Sequence, residues 1–257
     1  MNNFIEINKF SFLCDQKNLL FCKTDYAFSF FEEIQSKKNE LVLVIGNSDM
    51  PITNLHAEKL PKNVKKVFGQ NVITNDPRFE PIPMGLENST ESSLGSKHGV
   101  AWGRSINNQK YLLNLKQKTP NEYIYANFRA HTNPHHRNLV SKFCQQSPFI
   151  TWQNPNLSTD EFYDQVLNHK VIVCPAGNGV DSHRLWETMY LNRVALTVKT
   201  GDYKLYSLYE KLPIIILESV ESLLDKSLLD SLYADAVQKS FDSAYFNFWK
   251  NAIIKSV

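Results

Sequence analysis

The sequence predicts an α/β protein made of two units, each organised around a parallel β-sheet. Three observations lead there. Short apolar, β-branched runs recur along the chain, and segments of helical spacing separate them. The pattern breaks once, at Lys116-Gln117-Lys118-Thr119-Pro120-Asn121, and then restarts. Strands that alternate with helices favour parallel sheets, because a parallel partner needs a crossover and the crossover is usually a helix. No internal repeat relates the halves. The expected units are therefore 1–118 and 119–257, with the last helix free to pack back on the first unit.

In the first half, Leu19 to Cys22 reads as a short strand, and Phe28, Phe31 and Ile34 carry helical spacing. Leu41 to Ile45 is the cleanest buried strand, ending in Gly46-Asn47-Ser48-Asp49, and Val64 to Phe68 is another. Phe79 to Met84 is extended, since Pro81 and Pro83 exclude helix. Residues 87–108 read as loop, followed by a helix over 106–116. In the second half the expected strands are 123–128, 149–152, 170–174, 193–198 and 213–217. The expected helices are 134–145, 159–168 (opened by Ser158 or Thr159), one after Asp181, others from about 219, and 241–254.

At 257 residues with a formal charge of +2, the chain has the composition of a globular protein with no strong electrostatic case for nucleic acid. Cys14, Cys22, Cys144 and Cys174 form no CxxC pair and read as reduced core cysteines of a cytoplasmic protein. No basic-then-apolar leader opens the chain, and no apolar run reaches membrane-spanning length. Oligomeric state leaves no signal.

The most informative stretch runs from Lys170 to Leu191. An apolar strand breaks at Pro175 and passes through Gly177-Asn178-Gly179, where the backbone tolerates positive φ and close approach. Asp181 or Ser182 can then cap a helix. Strand, glycine turn and helix N-terminus together offer N–H groups and a positive dipole end to an anion, typically a phosphate. At 100° per residue Leu185, Trp186 and Met189 share one face of that helix, and His183, Arg184, Glu187 and Tyr190 another. The plainer alternative is a solvated polar face with Arg184 and Glu187 as a surface pair.

Two further turns follow strands. Asp49 sits after the Leu41 strand, where it could act as a general base or simply help cap a turn before Pro51. Arg129 and Arg137 flank the start of the helix at Pro134 and could grip a diphosphate, or stand on the surface. His131, His135 and His136 lie close together without a cysteine or spaced carboxylate to complete a metal site. Dinucleotide, P-loop, zinc-protease and nucleophile-elbow motifs are all absent.

The run from Cys174 to Glu187 resembles the donor-binding segment of exostosin-like glycosyltransferases, a Pro-x-Gly-x-Gly turn followed by Asp-x-x-Arg-x-Trp-Glu. Asn47-Ser48-Asp49, Gln70-Asn71 and Ile82-Pro83-Met84-Gly85 are similar to N-terminal segments of the same group, in the same order. The resemblance implies a GT-B fold, two Rossmann-like domains facing a central cleft, with a nucleoside-diphosphate sugar, UDP-linked, as donor. It implies Glu187 on the ribose, Arg184, Asp181 and the Gly177-Asn178-Gly179 turn on the diphosphate or donor sugar, and Arg129 and Arg137 on the leaving phosphates. It implies neither metal nor cofactor, and an inverting transfer of a hexosyl or pentosyl group with Asp49 as base and His183 as second candidate. The acceptor would be a glycan or another hydroxyl compound; a nucleic acid is disfavoured by the near-neutral charge. Leu191-Asn192-Arg193 departs from the small-residue turn common at that place in the family. The competing expectations are an epimerase using the same site, or a non-catalytic glycan- or nucleotide-binding module.

Overall fold

The computed structural model describes residues 3–14, 18–89 and 105–257, so most of the loop expected over 87–108 lies outside the described residues. The chain is mixed α/β, with two sheets of parallel strands. It forms two compact units. One comprises Met1–Tyr111, Asp202–Leu208 and Asp242–Val257; the other comprises Leu112–Gly201 and Tyr209–Phe241. The division thus falls between 111 and 112, where composition suggested a break near 119. The chain also returns twice to the first unit.

In the first unit, strands β1 (Leu19–Lys23), β2 (Leu41–Gly46), β3 (Val64–Gly69) and β4 (Phe79–Pro81) lie side by side in chain order. Helices α1 (Ala27–Ile34) and α2 (Asn54–Lys59) cross between them and pack on each other. Successive right-handed crossovers in one direction put both helices on the same face. There Ala27, Phe31 and Ile34 of α1 meet Leu41, Leu43 and Ile45 of β2 and Val64 and Val67 of β3. Val64 and Val67 are three residues apart, so regular alternation would send them to opposite faces. A register irregularity beside Leu41 and Val42 brings both into the same core. A 3-10 helix over Ile7–Leu13 packs on β1 and β2, and the C-terminal helix α9 (Phe246–Lys255) meets it, with Phe10 and Phe246 rings 5.0 Å apart. Lys204, on the returning segment, donates to the carbonyls of Asp76 (3.1 Å) and Phe79 (2.7 Å).

Helix α2 carries no signal in the apolar pattern. It is started by a capping box in which His56 takes the place usually held by Glu or Gln. The Thr53 N–H donates to His56 Nδ1 (3.1 Å), and the Phe28 ring stacks on the imidazole at 4.5 Å.

The second unit holds β5 (Glu122–Ala126), β6 (Ile150–Trp152), β7 (His169–Val173), β8 (Val194–Val198) and β9 (Ile214–Leu217), in the spatial order β6-β5-β7-β8-β9. Chain direction across the sheet reverses at β5. Helix α4 (Pro134–Gln146) and helix α8 (Lys226–Ala236) cover the face that carries Ile124, Ala126, Val171, Val173, Leu196 and Leu217. Helices α5 (Thr159–Asn168) and α6 (His183–Tyr190) lie on strands β7 and β8, and Tyr125 of β5 stands 6.2 Å from Phe162 of α5. Helix α3 (Ser105–Asn114) contains the division at 111/112, and the one-turn α7 (Tyr206–Tyr209) marks the return from unit 1. The α5 N-terminus has a regular capping box: the Glu161 N–H donates to Ser158 Oγ (3.3 Å) and the Ser158 N–H to Glu161 Oε2 (2.9 Å).

Arg193 is 5 % exposed and spends its guanidinium on the main chain. It donates to the carbonyls of Leu191, Asn192, Lys118 and Leu167, the last at 2.5 Å. The arginine thus staples the end of α6 to the end of α5 and to the start of the unit. None of the four cysteines forms a disulfide, and burial pushes the Cys22 and Cys144 thiols up to about 12. Among the described residues no helix is long and apolar enough to cross a membrane.

Burial also lowers the pKa of His56, of His136 (helped by the Arg137 charge) and of His169. The unfolded chain takes up these protons as pH falls below about 6.5, before the folded chain does. Stability is therefore full above that value and falls as the solution is acidified. Melting temperature should drop steadily from pH 7 to pH 5. A His56→Ala variant should lose about 1 kcal/mol at pH 7 through the α2 cap and show a shallower acid decline. A decline as steep as that of the wild type would contradict this.

Candidate functional site

In an open parallel sheet the crevice outside the carboxyl ends opens where strand order reverses. In the second unit that place lies between β5 and β7. The loops that leave these two strands carry Arg129 and Arg137 on one side and the glycine turn on the other.

Beyond Val173 the chain enters the turn at Cys174, whose N–H still reaches Leu196 O at 2.7 Å. Three consecutive carbonyls then face helix α4. Arg137 donates from Nη2 to Pro175 O (3.2 Å) and from Nε to Ala176 O (2.8 Å), and Asn133 Nδ2 donates to Gly177 O (2.9 Å). A third Arg137 nitrogen, Nη1, donates to Arg129 O at 3.0 Å. Gly177 N–H closes back on Gly179 O at 2.9 Å. A Cβ on Gly177 would lie 3.4 Å from Arg137 Nη2, within ordinary contact distance. The N–H groups of Ala176, Asn178 and Gly179 reach no acceptor among the described residues. Gly177 and Gly179 are buried, whereas Asn178 is exposed on the rim.

Helix α6 begins at Ser182, whose side chain makes no capping bond. The Asp181 carboxylate is instead turned inward, 3 % exposed, and its Oδ1 accepts from Trp186 Nε1 (2.7 Å), Tyr209 Oη (2.6 Å) and the Ser182 N–H (2.9 Å). Asp181, expected on a donor ligand, is thus engaged by three protein donors beneath the turn. Leu185, Trp186 and Met189 are buried, as the helical angles predict; His183, Arg184 and Glu187 stay partly exposed.

Arg184 leans back toward β5. Its Cζ lies 4.0 Å from the Phe162 ring centroid and its Nη1 donates to Asn127 O at 3.0 Å. Its Nε is buried without a hydrogen-bond partner and stands 3.6 Å from Glu187 Oε2. The Glu187 side chain is 15 % exposed, that of Arg184 34 %, so this ion pair is half withdrawn from solvent rather than a surface ornament. Burial depresses the Arg137 pKa and the Arg184 charge depresses it further. Cys174 lies in the same field. Burial raises its thiol to about 11, against the pull of the Thr188 hydroxyl and both arginines. The Arg129 side chain is exposed. The switch point thus brings together the Arg137 and Arg184 guanidinium groups, the glycine turn and the Glu187 carboxylate.

Asp49 belongs to the first unit, after β2, and is exposed. The turn that carries it is held by buried amides. Asn47 adopts a positive φ of 56°, its N–H donates to Gln70 Oε1 (2.9 Å), and its Oδ1 accepts from Asn88 Nδ2 (3.2 Å). Asn71, also at positive φ (52°), donates from Nδ2 to Ser48 O at 3.3 Å. Ser48 Oγ accepts the Met50 N–H at 3.1 Å and bonds the Asp25 carboxylate. Burial opposes the Asp25 charge, but the Ser48 bond, its own backbone and Lys23 together hold its pKa below the usual range.

The second unit therefore gathers Arg137, Gly177, Gly179, Asp181, Arg184 and Glu187, with Arg129, Asn178 and His183 at the margin. Asp49 stands in the other unit. Among the described residues no three His, Cys, Asp or Glu side chains are grouped to hold a metal ion. Sequence reasoning missed Asn133, Asn127, Phe162 and Tyr209. Asn133 had a local signal, an Asn before Pro134 at a helix start; the other three act through contacts far along the chain. No protein-family model matches the chain, and no curated protein matches it.

Replacing Asp181 by Ala leaves a buried indole N–H and a buried phenol without their acceptor. Stranded groups of this kind cost about 1–3 kcal/mol each. Denaturant unfolding of Asp181→Ala should show a loss of about 3 kcal/mol, and Tyr209→Phe a loss of about 1 kcal/mol. A variant as stable as wild type would remove Asp181 from the framework of the turn.

Proposed function

We propose that the chain is a metal-independent glycosyltransferase of the GT-B type, similar to the exostosin-like enzymes, that transfers a sugar from a nucleoside diphosphate, UDP-linked, to a hydroxyl acceptor. The observation that carries this is the pairing, at one sheet switch point, of a turn with unengaged N–H groups and the Arg184–Glu187 pair on the helix that follows it. A diphosphate needs positive charge and N–H donors; a ribose needs an acceptor for its hydroxyls. The crevice has both, a few residues apart.

In the proposed reaction the acceptor hydroxyl gives its proton to a carboxylate, for which Asp49 is the candidate, with His183 as second choice. The hydroxyl oxygen forms a bond to the anomeric carbon as the bond from that carbon to the diphosphate oxygen breaks. The electron pair leaves on the diphosphate. Turn N–H groups, the α6 N-terminus, Arg184 and Arg129 stabilise the charge that develops there, the role that a fixed, preorganised set of donors performs best. Glu187 accepts from the ribose hydroxyls and holds Arg184 toward the phosphates.

Calorimetric titration with a panel of nucleoside diphosphates and nucleotide sugars tests the donor assignment. One member should bind, and Glu187→Ala should weaken it at least about tenfold, the order of one lost charged hydrogen bond. No binding by any member would sink the proposal. For the base, Asp49→Asn should keep donor affinity while turnover falls about 10²- to 10⁴-fold; wild-type turnover in that variant would remove Asp49 from the role.

A further inference from the structure

We infer that Arg137 and Asn133 are positioning residues that aim the amides of the glycine turn at the bound anion, and that Arg137 does not itself grip the phosphates. The inference rests on the proposed reading that an oxyanion occupies the turn.

The peptide unit is planar and trans, so a carbonyl and the N–H of the following residue point in opposite directions. Pro175 O, Ala176 O and Gly177 O are each fixed toward α4 by a side-chain donor from that helix or its N-cap. The N–H groups of Ala176 and Asn178 must then face away from α4, and both lack an acceptor among the described residues. The intervening N–H, of Gly177, is used to close the turn on Gly179 O. Two amides two residues apart are thus left pointing away from α4 without a partner among the described residues.

Arg137 is unsuited to direct phosphate contact for the same reason that it is suited to this task. Bidentate anion recognition uses two parallel N–H groups from one edge of the guanidinium. Here Nε and Nη2 meet two successive carbonyls of the turn, and Nη1 meets Arg129 O. Three of its five N–H groups, including the whole Nε–Nη2 edge, are committed to the main chain. The guanidinium is also partly buried, 5.9 Å from the Phe128 ring, and burial lowers its pKa. Its charge still favours an anion nearby, but the Nε–Nη2 edge is spent on the turn. Lysine carries the same charge, but its donors diverge from one nitrogen and cannot reproduce the flat fork that meets these separated carbonyls.

That difference supplies the experiment. The full chain is titrated calorimetrically with inorganic pyrophosphate and with UDP, over a range of sodium chloride concentrations, after melting curves confirm that each variant folds. Arg137→Lys should bind both ligands about tenfold more weakly although its charge is kept, on the scale of one lost charged hydrogen bond. Asn133→Ser, which can still cap α4 but has no amide to give Gly177 O, should weaken binding in the same direction. Arg137→Gln should flatten the salt dependence less than Arg184→Gln does, because the partly buried Arg137 charge is screened less than one that meets the ligand. Wild-type affinity in Arg137→Lys, or a salt dependence in Arg137→Gln flattened as in Arg184→Gln, would overturn the inference. If Arg137→Lys fails to fold, wild-type affinity in Asn133→Ser overturns it alone. Wild-type binding of pyrophosphate without UDP or any other nucleoside diphosphate would sink the glycosyltransferase proposal and leave the positioning role standing; binding of neither would remove both.

Discussion

Everything at the switch point depends on how the carbonyls of Pro175, Ala176 and Gly177 are satisfied. A strand that ends in a glycine turn leaves polar main-chain groups beyond the reach of the sheet ladder, and buried carbonyls left unpaired are costly. In this chain Arg137 and Asn133 take them from the α4 side. The turn is therefore held from beneath by its acceptors, and its donors are turned outward. A loop supported in this manner is rigid before any ligand arrives, which is what an anion site needs if little reorganisation is to accompany binding.

The two units secure their loops by different chemistry. The second uses charged groups against the main chain and against polar rings: Arg137 under the turn, Asp181 receiving Trp186 and Tyr209, Arg193 across the ends of α5 and α6. The first uses neutral amides. Asn47, Gln70, Asn71 and Asn88 are all nearly inaccessible, and they bond one another and the Asn47-Ser48 backbone. Asparagine tolerates the left-handed backbone that Asn47 and Asn71 adopt, so the same residues both permit the turn and fasten it. The consequence is a fixed mount for an exposed Asp49.

Much of this was legible in the residues. The strands and most helices follow from local periodicity, because a face that must be buried repeats every two or every 3.6 residues. The inward face of α6, Leu185, Trp186 and Met189, follows from the angles alone. Helix α2 was not legible, since it is six residues long and its start is marked by His56 in place of an acidic residue. The roles of Asn127 and Phe162 around Arg184 were equally invisible, because those contacts join residues from three separate elements.

The sequence by itself determined that a buried strand, a glycine turn and a helix follow one another near residue 177, and that His183, Arg184 and Glu187 share a face. Local sterics and side-chain spacing suffice for that. The tertiary structure decided which polar groups remain available. It set β5 beside β7, so that two loops distant in sequence meet at one crevice. It drew Asp181 inward and tied Arg137 to the main chain, while leaving Arg184 and Glu187 at the wall. Hydrogen-bonding capacity belongs to a residue type, but whether a given donor is already used depends on neighbours brought from elsewhere in the chain.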